Sequence, residues 1–359
     1  MGELFKDILS DQESIFLNPQ FLDFDYQPKL VPYRENYQQY IASCIKPILQ
    51  KRNGRNLIVS GPPGVGKTVC LKHIMNELEE DFSGEVVCLY INCWKRNTPF
   101  KIIMNICEQI NYKWTHNKNF DELMKAVAEV LNEKSVVIVL DEADRLEDDS
   151  IIYQLLEDIY RKTIVLITNE QDLIIKLDSR IKSRLAPDTL EFKPYNLSET
   201  EGILKQRLEY CFVKDIFDIS GLKMISDKTV EAGDMRVGLF LMKEAGEIAE
   251  AESSKKVTIN HCDEAISKMD NFKTDKINNI ENTDSTLISI IKENSGKSAT
   301  EIYEIYKDKE NKSYRTFQRK IKDLEKAGLV KLNEMNKGSE TGRQTIIEYN
   351  KEIKTLDEF

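Results

Sequence analysis

Residues 61–68 read GPPGVGKT, and glycine at positions 61, 64 and 66 with Lys67 and Thr68 behind them is an order of residues suited to holding an anion. Gly61, Gly64 and Gly66 allow the backbone to wrap closely with its N–H groups pointing inward, and a helix that follows presents its positive N-terminus to the same charge. Lys67 supplies a cation for the β- and γ-phosphates of a nucleotide, and the Thr68 hydroxyl is a ligand for Mg²⁺. Pro62, Pro63, Gly64, Val65, Gly66, Lys67, Thr68 and Val69 together form the expected nucleotide contact. The setting matters as much as the string: Asn56 to Ser60 precede it as an apolar strand, and Val69 to Glu80 follow it as a helix.

A second group of residues supplies what a cradle alone lacks. Val136 to Leu140 are five apolar residues in succession, the pattern of a strand buried on both faces, and they end in Asp141-Glu142-Ala143-Asp144. Carboxylates at the carboxyl end of a central parallel strand lie where such a sheet opens into its ligand crevice. Asp141 is expected to complete the Mg²⁺ shell with Thr68. Glu142 is expected to orient and polarise an attacking water, which points to hydrolysis rather than binding alone.

Positioning these groups requires an alternating α/β architecture. Strands are expected at Leu57 to Ser60, Glu85 to Asn92, Val136 to Leu140, Thr163 to Thr168 and Thr189 to Phe192, each separated by a helix-like stretch. From residue 197 to 270 strand signals give way to helices, with Leu239, Met242, Ala245, Ile248 and Ala249 spaced along one face. Residues 271–285 are polar without an apolar face and read as a linker. The last 75 residues read as three helices and a hairpin. In the third helix Phe317, Ile321 and Leu324 form an apolar face, while Arg315, Arg319, Lys322 and Lys326 form a cationic stripe. Two strand-like runs, Leu329 to Leu332 and Thr345 to Tyr349, are joined by a turn carrying Lys337 and Arg343. This pattern suggests a winged helix, with a recognition helix for the major groove and a basic hairpin; a small protein-docking domain is the other reading.

Composition narrows the classes. The 359 residues carry 51 Lys and Arg against 61 Asp and Glu, a formal charge of −10. The segment from Lys297 to Arg343 holds twelve basic and eight acidic residues, so a cationic end belongs to an otherwise acidic chain. No apolar run approaches the roughly 20 residues that span a bilayer, and the N-terminus lacks a signal-peptide profile, so a cytoplasmic protein is expected. The seven cysteines form no CxxC pair and read as reduced core residues.

On these motifs the chain resembles the archaeal replication-initiator family of AAA+ ATPases, related to the first subunit of the origin recognition complex and to the cell-division-control loader protein. Leu30 to Glu35 resemble the family's box ahead of the phosphate loop, Ile91 to Phe100 the start of its initiator-specific insertion, and Gly233-Asp234-Met235-Arg236 its sensor 2 motif. The resemblance implies an AAA+ base domain over residues 1–195, a helical lid over 196–275 and a winged-helix DNA-binding domain over 276–359. It implies ATP and ADP with Mg²⁺ as ligands, Asn169 as sensor 1, Arg236 as sensor 2, and Arg184, with Arg180 in reserve, as an arginine finger acting on a neighbouring subunit. Tyr33 and Arg34 are implied near the adenine, and Lys95, Arg96 and Thr98 at DNA.

The function expected is an ATP-dependent initiator of replication on origin-like duplex DNA, working with further initiator subunits and a replicative helicase. A nucleotide-gated regulator that hydrolyses little, and an AAA+ assembly factor whose terminal domain docks on protein, are the alternatives.

Overall fold

The computed structural model describes residues 14–24, 26–28, 30–310, 312–326, 329–336 and 343–349. Two compact units divide between Ala265 and Ile266. The first contains α1 (Glu35–Leu49), β1 (Leu57–Ser60), α2 (Lys67–Asp81), β2 (Val86–Asn92), α3 (Pro99–Gln109), α4 (Phe120–Leu131), β3 (Ser135–Asp141), α5 (Ser150–Asp158), β4 (Lys162–Ile167), α6 (Leu173–Lys176), α7 (Ser179–Leu185) and β5 (Asp188–Glu191). The lid helices α8 (Leu197–Cys211), α9 (Ile219–Ala232) and α10 (Met235–Ala251) follow, and then the start of α11 (Ile259–Glu293).

The five strands are parallel in the order β2-β3-β4-β1-β5. Every residue of β3 is buried. Its alternation feeds two cores: Val136, Ile138 and Leu140 pack with α3, α4 and α5, whereas Val137 and Val139 pack with α1 and α2. Each such side chain contributes about 1.5–3 kcal/mol by leaving water, which is why an unbroken apolar run, rather than an alternating one, marks this strand. Register then fixes the site, since Asn92 is paired with Asp141 and the carboxyl ends of β2 and β3 finish level. The lid helices start on side-chain caps, among them the capping box of Asn196 and Glu199 on α8. All seven cysteines are buried with free thiols.

The second unit contains the remainder of α11, β6 (Lys297–Ser298), α12 (Ala299–Glu310), α13 (Tyr314–Lys326), β7 (Val330–Asn336) and β8 (Arg343–Tyr349). Its strands form an antiparallel sheet in the order β6-β8-β7. Leu287, Ile291, Ile302, Tyr306, Phe317, Ile321, Leu324 and Ile347 fill its own core, and the layout is that of a winged helix. The expected linker over 271–285 is instead helical within α11. These residues contain neither Pro nor Gly, so nothing in their backbone chemistry ends a helix even though they show no apolar face.

Candidate active site

The phosphate-type loop joins β1 to α2 with Gly64 and Gly66 at φ of 71° and 92°, a region that L side chains rarely enter. Space forbids a side chain as well: a Cβ on Gly64 would lie 1.8 Å from Asp234 Oδ1, and one on Gly66 would lie 2.7 Å from the Tyr195 hydroxyl. Lys67 Nζ donates to the carbonyls of Gly61 at 2.5 Å and Pro62 at 2.8 Å, and to Asn169 Oδ1 at 2.9 Å. Burial pushes its pKa down to about 8, against the opposing pull of Asp141 and Asp144. The lysine is therefore stored inside the loop, pointing at the strand-end residue expected to act beside it.

Thr68 Oγ1 donates to Asp141 Oδ2 at 2.7 Å. The same oxygen accepts from the Tyr90 hydroxyl at 2.6 Å, while Asp141 Oδ1 accepts from the Glu142 N–H at 2.9 Å. Thr68 and Asp141 thus offer two adjoining hard oxygens of the kind Mg²⁺ selects. Burial, reinforced by Asp141, pushes the Tyr90 phenol far above its ordinary pKa, so it remains a donor. Its backbone is also secured, because the Gln109 side-chain amide accepts from the Tyr90 N–H at 3.1 Å and donates to its carbonyl at 3.0 Å.

Glu142 borders the same cavity from a left-handed backbone at φ 55°, ψ 46°, strain of the kind that persists where surrounding structure imposes it. Burial first, then the charges of Asp141 and Asp144, raises its carboxyl pKa. Asp144 faces inward. Its Oδ1 accepts from Thr168 Oγ1 at 2.9 Å and from the Asn169 N–H at 3.4 Å, and its Oδ2 pairs with Arg145 at 3.1 Å. Asp144 consequently positions Asn169, a role that its sequence neighbours do not signal.

The loop, the ends of β2, β3 and β4, and the lid enclose a cavity of about 450 Å³, within the range of small-molecule sites. Lys67, Thr68, Asp141, Glu142, Asn169 and Arg236 all border it, together with Pro63, Gly64, Val65, Gly66 and Val69. Pro62 takes part through its carbonyl to Lys67. Tyr26, Gln27 and Val31 from the N-terminal segment and Gln206 and Arg207 from α8 close the far side. Val31 belongs to the box already noted ahead of the loop, whereas Tyr26, Gln27, Gln206 and Arg207 come from an irregular stretch and a polar helix face that carry no site signal in the sequence.

Arg34 and Tyr33 sit elsewhere. The Arg34 guanidinium is buried behind the loop, donating to Val65 O through Nε at 3.2 Å and Nη2 at 3.1 Å and to Lys193 O at 2.7 Å, with the Tyr195 ring 3.7 Å away. With these donors taken by backbone carbonyls, its guanidinium braces the cradle. Tyr33 packs its hydroxyl over Gly202 of α8, where a Cβ would lie 2.1 Å away. Neither residue borders the cavity.

The remaining expected residues fall outside this cluster, with one exception. Lys95 borders the cavity beside Asn92. Arg96 is exposed next to Trp94, whose ring carries the Arg145 guanidinium at 4.7 Å. Thr98 is committed to its helix, its hydroxyl accepting from the Lys101 N–H at 3.4 Å as the cap of α3. Arg184 pairs with Glu157 and lies over the Tyr153 ring at 4.9 Å, away from the cavity of its own chain, and Arg180 is exposed one turn earlier on α7. In the second unit Arg315, Arg319 and Lys322 are exposed on α13 while Phe317, Ile321 and Leu324 are buried. Lys337 lies outside the described residues, as does the side chain of Arg343, whose backbone opens β8.

Known proteins share this fold. An AAA-domain family matches residues 50–175, and a Cdc6 AAA+ ATPase-type lid domain matches residues 201–267. The ORC1-type DNA replication protein 1 of Sulfurisphaera tokodaii is 31% identical over 279 residues, covering 74% of this chain and 70% of that protein. The ORC1-type DNA replication protein of Pyrococcus furiosus is 31% identical over 294 residues, covering 75% and 69%. The structure of the Aeropyrum pernix ORC1 protein in complex with DNA has the same fold, with a TM-score of 0.72 at 24% identity and 94% of each chain covered. With an AAA+ base, a Cdc6-type lid and that extent of shared sequence, the chain belongs to the family of ORC1-type DNA replication proteins.

Proposed function

We propose that this protein is a replication initiator in which the nucleotide between base and lid governs how the chain grips duplex DNA. One observation carries the reading: Lys67, Thr68, Asp141, Glu142, Asn169 and Arg236, drawn from four separate segments, converge on one cavity. The reaction is hydrolysis of ATP to ADP and phosphate. Glu142 accepts a proton from the attacking water, Asn169 holds that water or the γ-phosphate, and Lys67 and Arg236 meet the charge on the phosphoryl oxygens. Thr68 and Asp141 would hold Mg²⁺, which would supply neutralising charge for the phosphates. Further initiator subunits, which receive Arg184 or its reserve Arg180 at their own nucleotides, and a replicative helicase are the partners this reading entails, in the cytoplasm. No described helix is long and apolar enough to cross a membrane.

Lys67 gives the nucleotide half of the proposal a pH signature. Its pKa of about 8 in the free protein rises when a triphosphate restores a counter-charge, so binding takes up a proton above pH 8. Affinity is expected to weaken from pH 8 upward, approaching tenfold per pH unit. Calorimetry in buffers of different ionisation enthalpy measures that uptake directly, and a flat profile between pH 7 and 9.5 contradicts it.

The DNA half rests on the exposed face of α13, with Lys95 and Arg96 as further candidates in the first unit. Engagement of about six phosphates gives a slope of log K against log salt near −5. Replacing both Arg319 and Lys322 by Ala is expected to flatten the slope by roughly two, and an unchanged slope removes α13 from the interface. Footprinting with ATP and with ADP, on the wild type and on Lys67→Ala, tests the whole proposal: protection of a repeated duplex element that depends on nucleotide supports it, and protection indifferent to both opposes it.

A further inference from the structure

An ion pair of the lid, Asp234 with Arg236, borders the phosphate loop. Asp234 caps α10, its Oδ1 accepting from the Arg236 N–H at 2.9 Å. Its carboxylate also chelates the Arg236 side chain: Nε donates to Oδ1 and Oδ2 at 3.0 Å each, and Nη2 to Oδ2 at 2.5 Å. Burial pushes the Asp234 carboxyl up, but the hydrogen bonds from Arg236 prevail and hold it below the usual carboxylate range. The group is therefore ionised near neutral pH.

That carboxylate rests on the phosphate loop. A Cβ on Gly64 would meet Asp234 Oδ1 at 1.8 Å, and the Met235 N–H donates to Gly64 O at 3.3 Å. Lys67 and Glu142 both lie close enough for the charge of Arg236 to act on them. A γ-phosphate that recruits Arg236 must take it from Asp234, leaving that carboxylate over the glycines with its closest counter-charge lost and only Lys67 acting on it from further off. ADP, lacking that phosphate, leaves the pair intact.

We infer that Asp234 is a specificity-determining residue: it is the counter-ion that the third phosphate has to displace from Arg236, and it thereby sets how strongly the protein prefers ATP to ADP. This rests on the nucleotide reading above and adds a term that the cradle and the strand-end acids do not contain. A ligand shifts an equilibrium only by its differential interaction with the two states, and the cost of breaking the pair falls on ATP alone.

Asp234→Asn preserves the helix cap and the shape while removing the charge, and Asp234→Ser preserves the cap with a shorter acceptor. Either variant, checked for an unchanged Tm, is expected to bind a non-hydrolysable ATP analogue about tenfold more tightly, because a half-exposed Arg236 is released from a charge-assisted contact. ADP affinity is expected to change by less than about twofold. In an Arg236→Ala background both variants should lose their effect. Equal tightening for ADP and ATP, no tightening in either variant, or tightening that survives Arg236→Ala overturns the inference. If the wild type binds neither nucleotide, the function proposed above fails with it; if it binds both and only the ratio is insensitive to Asp234, this inference alone fails.

Discussion

Glu142→Gln is expected to slow ATP hydrolysis by roughly 10²–10⁴-fold while leaving ATP affinity within a few-fold of the wild type. The substitution keeps side-chain length and the left-handed backbone of the position, but an amide cannot accept the proton that water releases. Since the cradle, Lys67 and Arg236 are untouched, the effect belongs to the chemical step, and single-turnover hydrolysis beside equilibrium binding separates the two. The raised pKa of Glu142 adds a sign. Below that pKa the carboxyl is protonated and cannot act as a base, so the wild-type rate falls toward acid pH from a point above the ordinary carboxylate range, and the Gln variant lacks that limb. A loss of binding equal to the loss of rate would instead make Glu142 a structural residue.

Arg184→Ala carries the other large effect. Its guanidinium is turned away from its own cavity and braced by Glu157 and the Tyr153 ring on α5, an arrangement suited to presenting a rigid cation to something outside the chain. If Arg184 reaches a neighbour's triphosphate, hydrolysis by the wild type rises with protein concentration on DNA, and the variant forfeits roughly 10³–10⁵ of that stimulated rate. The rate of the dilute, isolated chain should not change. Arg180, exposed on the same short helix, is the control: retention of stimulation in Arg184→Ala with its loss in Arg180→Ala transfers the role. Hydrolysis that is fast at every concentration and indifferent to both substitutions removes the finger from α7.

The parts of this architecture legible in the sequence are those with local causes. Val136 to Leu140 announced a strand buried on both faces because neither face needs a polar residue, and the structure extends it by one residue at each end. The stripe of α13 was equally open to reading, since four-residue and three-residue steps put Phe317, Ile321 and Leu324 on one side. What escaped depends on distance along the chain. Arg34 is occupied by carbonyls 31 and 159 residues away, so its burial could not be seen from the box that contains it. Tyr90 sits inside an apolar strand, and its hydroxyl acquires meaning only when β2 and β3 align in register. Residues 271–285 look like a linker in the sequence yet are helical, because a polar stretch lacking an apolar face can stay helical when no Pro or Gly interrupts it.

The grip of Gln109 on Tyr90 has a consequence beyond the active site. β2 is an outer strand of the sheet, and an outer strand with open amides invites another chain to dock alongside it as a sixth member. At Tyr90 both the N–H and the carbonyl are already taken by one side chain, so that ladder is blocked at its midpoint. Another chain is therefore not expected to lengthen the sheet past Tyr90 on the β2 side.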